Sequence, residues 1–188
     1  MTPQPTPPST WIERWAHLIV RGGSVLDVAA GSGRHARWLA ARGHVVTAVD
    51  RDAAAMAPLN GIAEVIAADI EAAPWPLAGR RFDGVVVTNY LWRPLLPTLT
   101  ASLADGGVLL YETFAAGNET VGRPARPDFL LASGELLGAG AGLRIVAYED
   151  GFLANPDRFV QRLAAVREPA GAIARRYPLT PGAPGPGR

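Results

Sequence analysis

Three aspartates, Asp27, Asp50 and Asp69, each stand at or beside the end of a short apolar run, and the first is followed by Ala29-Ala30-Gly31-Ser32-Gly33-Arg34. Glycine at 31 and 33 lets the backbone turn tightly and approach a ligand with no Cβ in the way. Amides opening the helix that follows would face an anionic or acceptor-rich group. Asp50 lies nineteen residues after Gly31, where a carboxylate can accept hydrogen bonds from ribose hydroxyls. Asp69, followed by Ile70, comes nineteen residues later still. A glycine pair alone is a weak signal, whereas three carboxylates at three successive strand ends are a specific one. The plainer reading of each aspartate is a turn or capping residue, and it is strongest for Asp69.

Side chains so far apart in sequence meet only if strands carry them to one edge. The residue patterns predict strands over 25–28, 44–49, 64–67, 82–88, 108–113, 143–149 and 159–166, with helices over 11–20, 34–42, 52–59, 95–103 and 133–137. Val85-Val86-Val87 is a continuous apolar stretch of the sort buried on both faces of a parallel sheet. The β-α-β-α rhythm predicts an α/β fold: a Rossmann-like three-layer α/β/α sandwich with a mostly parallel, seven-stranded sheet. The last two strands are close enough to pair as an antiparallel C-terminal hairpin. In such a sheet ligands bind beyond the carboxyl ends of the strands, where the strand order reverses.

The run Leu26-Asp27-Val28-Ala29-Ala30-Gly31-Ser32-Gly33 is similar to the first motif of class I S-adenosylmethionine (SAM)-dependent methyltransferases, and the chain most resembles the small bacterial enzymes of the tellurite-resistance methyltransferase type. Val46-Thr47-Ala48-Val49-Asp50 resembles that family's ribose-binding strand end, Ala68-Asp69-Ile70 its adenine-contacting segment, and Phe82 to Leu91 its fourth strand and the loop beyond. Ala30 stands where many relatives have cysteine. The resemblance spans about Trp11 to Arg167. It implies SAM as cofactor, with Asp27 near the methionine ammonium, the Ala29 and Gly31 backbone close by, and Gly33 completing the bend. Asp50 would hold the ribose hydroxyls and Arg51 would lie beside the adenine. Asp69 would accept from the adenine amino group, Ile70 would pack on the ring, and Thr88 or Asn89 would line the sulfonium end. Arg14 is a candidate partner for the methionine carboxylate, with a surface arginine as the alternative.

The methyl acceptor would meet residues after the fourth and fifth strands. Tyr90, Trp92 and Arg93 follow the fourth, Glu112 closes the fifth, and Asn118, Arg123, Arg126 and Phe129 lie in the long segment beyond. Glu112, Tyr90 and His35 are the candidate catalytic groups. Glu112 could be a base or a cap. His35, at a helix start, would tend to be neutral and reads more readily as structural. Arg123 and Arg126 could attract an anionic acceptor, although solvated loop arginines are commoner. Asn89-Tyr90-Leu91-Trp92 lacks the prolines found after the fourth strand of enzymes that methylate exocyclic amines of DNA bases, so a small-molecule acceptor is expected.

Bulk properties bound the rest. A chain of 188 residues with 48% hydrophobic content suits one domain with a sizeable core. Its 18 basic residues are all arginine and the net charge is +1, without the basic excess of a nucleic-acid binder. No apolar run reaches the ~18 residues of a membrane span. The absence of cysteine excludes disulfides and thiolate chemistry, and three scattered histidines suggest no metal site. We therefore expect a cytoplasmic monomer or homodimer acting without nucleic acid or membrane. The expected layout is a disordered segment 1–10, a domain over 11–167 and a flexible Pro/Gly-rich tail 168–188. Two rivals stand beside the methyltransferase reading. Gly31-Ser32-Gly33-Arg34-His35-Ala36 with Asp50 also fits an NAD-binding oxidoreductase, though a dinucleotide strand is usually apolar where Asp27 stands. A non-catalytic SAM-binding regulatory protein would keep the same residues.

Overall fold

The structure, a computed structural model, describes residues 6–171 and 175–181; the expected terminal segments therefore lie partly outside the described residues. Seven strands, β1 (Ser24–Val28), β2 (Val45–Asp50), β3 (Glu64–Ala67), β4 (Phe82–Thr88), β5 (Leu103–Phe114), β6 (Arg144–Leu153) and β7 (Arg158–Val166), form one sheet in the order β3-β2-β1-β4-β5-β7-β6. The first five are parallel, and β7 runs antiparallel to both β5 and β6. The order reverses between β1 and β4, so the loops after those strands open a crevice. Val85, Val86 and Val87 are fully buried because β4 lies mid-sheet with side chains packed on both faces.

Helices α1 (Thr10–Trp15), α2 (Arg34–Ala40), α3 (Ala53–Met56), α4 (Leu96–Ala101) and α5 (Glu135–Ala139) complete the layers. Trp11, Trp15, Leu39 and Met56, from α1, α2 and α3, pack with Val25, Val86 and Leu110 on one sheet face. Leu99 and Leu136, from α4 and α5, pack with Leu26, Val85, Val87 and Tyr111 on the other. The alternation along β4 and β5 thus feeds two cores, the arrangement of a three-layer sandwich.

Several boundaries differ from expectation. The first helix ends at Trp15 and tightens into a 3-10 turn over Ala16–Leu18, and the third likewise becomes 3-10 at Ala57–Leu59. Leu103 leaves the expected fourth helix and starts β5 instead, because it pairs with Phe82. Ser9, one of the two residues placed to cap the first helix, is buried, and its side chain accepts from the Trp11 amide as the cap of α1. Residues 175–181, expected in a flexible tail, include Pro178, whose carbonyl lies 2.9 Å from His17 Nε2. No described helix is long and apolar enough to cross a membrane.

Candidate ligand-binding site

The bend after β1 is built from alternate left-handed residues: Ala29 at φ 53°, Gly31 at φ 54° and Gly33 at φ 71°. Gly33 is the N-cap of α2, and a Cβ there would meet the Leu59 side chain at 2.5 Å. Both a backbone requirement and a close approach therefore fix glycine at 33. Ala29 adopts the same unfavourable region with a side chain, a local strain of the kind concentrated at binding sites.

Asp27 and Asp50 hold this bend from below and from the side. Asp27 is 1% exposed, and its Oδ2 accepts the Ala36 amide of α2 at 3.0 Å. Burial raises its pKa to about 7 against the opposing effects of that bond and of Arg34. Asp50 accepts the Gly31 amide at 2.8 Å through Oδ2 and the Asp52 amide at 2.9 Å through Oδ1. The capping role weighed for these aspartates is thus real: each organises backbone. It does not use up their carboxylates, since each oxygen has two lone pairs. Asp69 is a turn residue in the same sense, its Oδ1 accepting the Glu71 and Ala72 amides, which holds its carboxyl below the usual range.

Asp50 and Asp69 share one cavity of about 240 Å³, lined also by Ala29, Arg51, Ile70 and Tyr90, while Asp27 lies outside its lining. Its walls come from the ends of β1, β2 and β4 and the segment after β3. A contiguous hollow contains Gly31, Ser32, Arg34, Thr88 and Asn89. Asn89 is itself left-handed at φ 54°, and its amide donates to the Glu112 carbonyl at 2.9 Å. Of the sequence-predicted residues, the structure therefore brings Ala29, Gly31, Asp50, Arg51, Asp69, Ile70, Thr88, Asn89 and Tyr90 to one crevice.

Others go elsewhere. Arg14 is exposed and paired with Glu149 at 3.2 Å, on the helix preceding β1 rather than in the crevice lining. Glu112 is fully buried, with Arg162 Nε at 2.6 Å and Arg158 Nη1 at 3.5 Å. Register explains it: Glu112 of β5 faces Arg162 of β7, which faces Glu149 of β6. That ladder of alternating charge uses Glu112 structurally and removes it as a base for an acceptor. His35 does line the hollow beside Gly31 and Thr88, but it is buried and engaged there: Nε2 accepts the Ser9 amide at 3.1 Å and Nδ1 lies 3.3 Å from Thr88 Oγ1. Burial and Arg34 push its pKa down to about 3. A neutral ring with both nitrogens engaged ties the segment before α1 to the end of β4 and has no lone pair left for catalysis. Arg93 is likewise committed, to Glu135 at 2.6 Å and to the Asp128 and Leu130 carbonyls.

Two residues that sequence reasoning passed over enter the site. Arg34 opens α2 beside Gly33, half-buried at the crevice and near both Asp27 and Glu112; its pKa is lowered, chiefly by burial. Among the described hydrogen bonds it makes none through its side chain. Its place directly after the glycine bend was the available signal. Glu71 lies on the rim two residues after Asp69, and only the turn that follows β3 brings it there.

Residues 25–107 match the model of a methyltransferase domain family. Over that segment, which is less than half of its length, the chain is similar to that family. Its structural neighbours share the fold. TehB from Haemophilus influenzae superposes with a TM-score of 0.67 at 22% identity, over 81% of this chain and 60% of that protein. A TehB-like SAM-dependent methyltransferase from Corynebacterium glutamicum gives 0.59 at 17% identity, over 82% and 88% of the two chains. The N-methyltransferase NodS from Bradyrhizobium japonicum gives 0.63 at 17% identity, over 82% and 92%. No curated protein matches by sequence. The glycine bend and Asp50 fall inside the matched segment, whereas the β6–β7 pair and the segment that precedes β1 lie outside it.

Proposed function

We propose that the protein is a SAM-dependent methyltransferase that moves the sulfonium methyl group to a small-molecule acceptor by in-line displacement. One observation carries the reading: the cavity at the strand-order reversal is lined by Asp50, Asp69 and Ile70 beside a left-handed bend, the set an adenosine needs. In this reading Asp50 accepts from the ribose hydroxyls while holding Gly31 in place. Asp69 accepts from the adenine amino group, Ile70 supplies an apolar face to the ring, and Arg51 flanks it. Arg34 takes the role of carboxylate partner considered for Arg14, because it faces the hollow beside Gly31. Asp27 lies beneath the ammonium; with a pKa of about 7, a cation beside it would favour its ionised form.

When bound, SAM supplies a methyl group on a positively charged sulfur, already electrophilic without protein help. The chain's task is alignment and exclusion of water, which can supply ~7–11 kcal/mol in favourable cases. Tyr90 lines both the donor cavity and the next hollow, and Asn89 lines that hollow and the one beside Gly31, where the two can orient an acceptor.

Titration of the protein with SAM and, separately, with NAD tests the donor, and saturable binding of SAM alone is expected. Asp50→Ala should weaken SAM by about the 1.5–3 kcal/mol of a charged hydrogen bond, with circular dichroism unchanged. Wild-type affinity in that variant, or preferential binding of NAD, would refute the assignment. Formation of S-adenosylhomocysteine with any acceptor separates an enzyme from a regulatory SAM-binding protein.

A further inference from the structure

Beyond the donor cavity, across Tyr90 and Phe129, lies a second cavity of about 250 Å³. Its lining includes Glu71, Tyr90, Leu91, Thr113, Phe114 and Phe129, so it offers three aromatic rings and, among the described residues, a single charged side chain, the Glu71 carboxylate. The Tyr90 hydroxyl is buried beside the Glu71 carboxylate and, among the described residues, makes no well-aligned hydrogen bond. Burial and the neighbouring Glu71 and Asp69 carboxylates raise its pKa, which keeps it an uncharged donor and acceptor. The arginines considered for an anionic acceptor do not reach this space. Arg123 and Arg126 line an adjoining hollow that shares Pro124 and Phe129 with this one, and Arg126 is bound to Asp128 at 2.8 Å with its guanidinium 5.3 Å from the Phe129 ring centre. Arg93 is held by Glu135.

We infer that this second cavity is the acceptor site and that it selects a small amine carrying an apolar or aromatic body. Aromatic faces attract an ammonium group, and the Glu71 carboxylate gives it a counter-charge, whereas the lining itself offers a carboxylate or oxyanion acceptor no cationic side chain, Arg51 lying in the adjoining donor cavity. The inference rests on the methyltransferase reading, since it places the acceptor beside that donor. The chemistry balances with the groups present. An ammonium entering the cavity gives one proton to Glu71, directly or through water, and the carboxylate later releases it to solvent. The freed nitrogen lone pair then forms the bond to the methyl carbon as the sulfur–carbon electron pair returns to sulfur. The products are the methylated ammonium and S-adenosylhomocysteine. Tyr90 OH can accept from, or donate to, the entering nitrogen and so orient it.

The test uses the full-length protein saturated with S-adenosylhomocysteine and three probes of one shape: 2-phenylethylamine, 3-phenylpropionate and 2-phenylethanol. The amine is expected to bind at least tenfold more tightly than either other probe, and with SAM it should gain the mass of one methyl group. Glu71→Gln should cut the amine's advantage over the alcohol to within about twofold. Preference for the carboxylate, equal or absent binding of all three, or an undiminished amine preference in Glu71→Gln overturns the assignment. Wild-type SAM affinity is measured first: its absence sinks the donor reading, while its presence without amine preference sinks this inference alone.

Discussion

Asp27 carries an opposition between structure and ligand binding that can be measured on one residue. Its carboxyl titrates near pH 7 in the folded chain against 3.8 ordinarily, because burial penalises the charge more than the Ala36 bond and Arg34 favour it. An acid whose folded pKa is raised stabilises the fold fully below about pH 4 and loses that contribution as pH rises through 7. Asp27→Asn keeps an acceptor for the Ala36 amide and removes the titration. Relative to the wild type, the variant should therefore gain about 3 kcal/mol between pH 5 and 8 in urea unfolding without ligand. His35 pulls the other way, since its folded pKa of about 3 costs stability as pH falls below 6.5, but it contributes equally to both proteins and cancels in the difference. A pH-independent difference would show that Asp27 is not held in its protonated form.

At the scale of elements, the bend between β1 and α2 decides where the site is, and glycine at 33 decides the bend. Gly33→Ala asks an alanine to take φ 71° and to push its Cβ into Leu59. Left-handed strain of about 1–2 kcal/mol and overpacking of about 1–3 kcal/mol predict a loss of roughly 2–5 kcal/mol in unfolding free energy. Gly43→Ala is the matched control: it has φ 86° but open space around the added Cβ, so only the backbone cost should appear. Equal losses at the two positions would mean that Leu59 yields without cost. The strands themselves were legible as apolar runs between turn residues. The fourth helix was less so, because Pro94 and Pro97 lie in its first turns and the pairing of Leu103 with Phe82 draws its expected end into the sheet.

Across the whole molecule, the first helix is locked to the last strand. Trp11 Nε1 donates to the Leu163 carbonyl at 3.2 Å, while Trp15 Nε1, equally buried, has no partner among the described residues. Trp11→Phe should cost about 1–3 kcal/mol by stranding a buried carbonyl, whereas Trp15→Phe removes an unsatisfied donor and should cost clearly less, a comparison made by thermal unfolding. The same long-range docking consumes polar residues that looked available. The ladder Glu112–Arg162–Glu149 crosses three strands, and Arg14 joins it from α1. What the sequence determined by itself was the alternation of elements and the cluster of Asp27, Gly31, Gly33, Asp50 and Asp69 at strand ends. Hydrophobic period, glycine conformation and strand termini are local properties, set within a few residues. Only the tertiary structure decided which charged groups were already paired and which faced the crevice. Glu112 met its arginines through strand register and His35 met Ser9 through docking of the segment before α1, while Arg34 and Glu71 reached the crevice on turns whose direction depends on packing. Partners of that kind are chosen between segments far apart in the chain, and no local pattern encodes them.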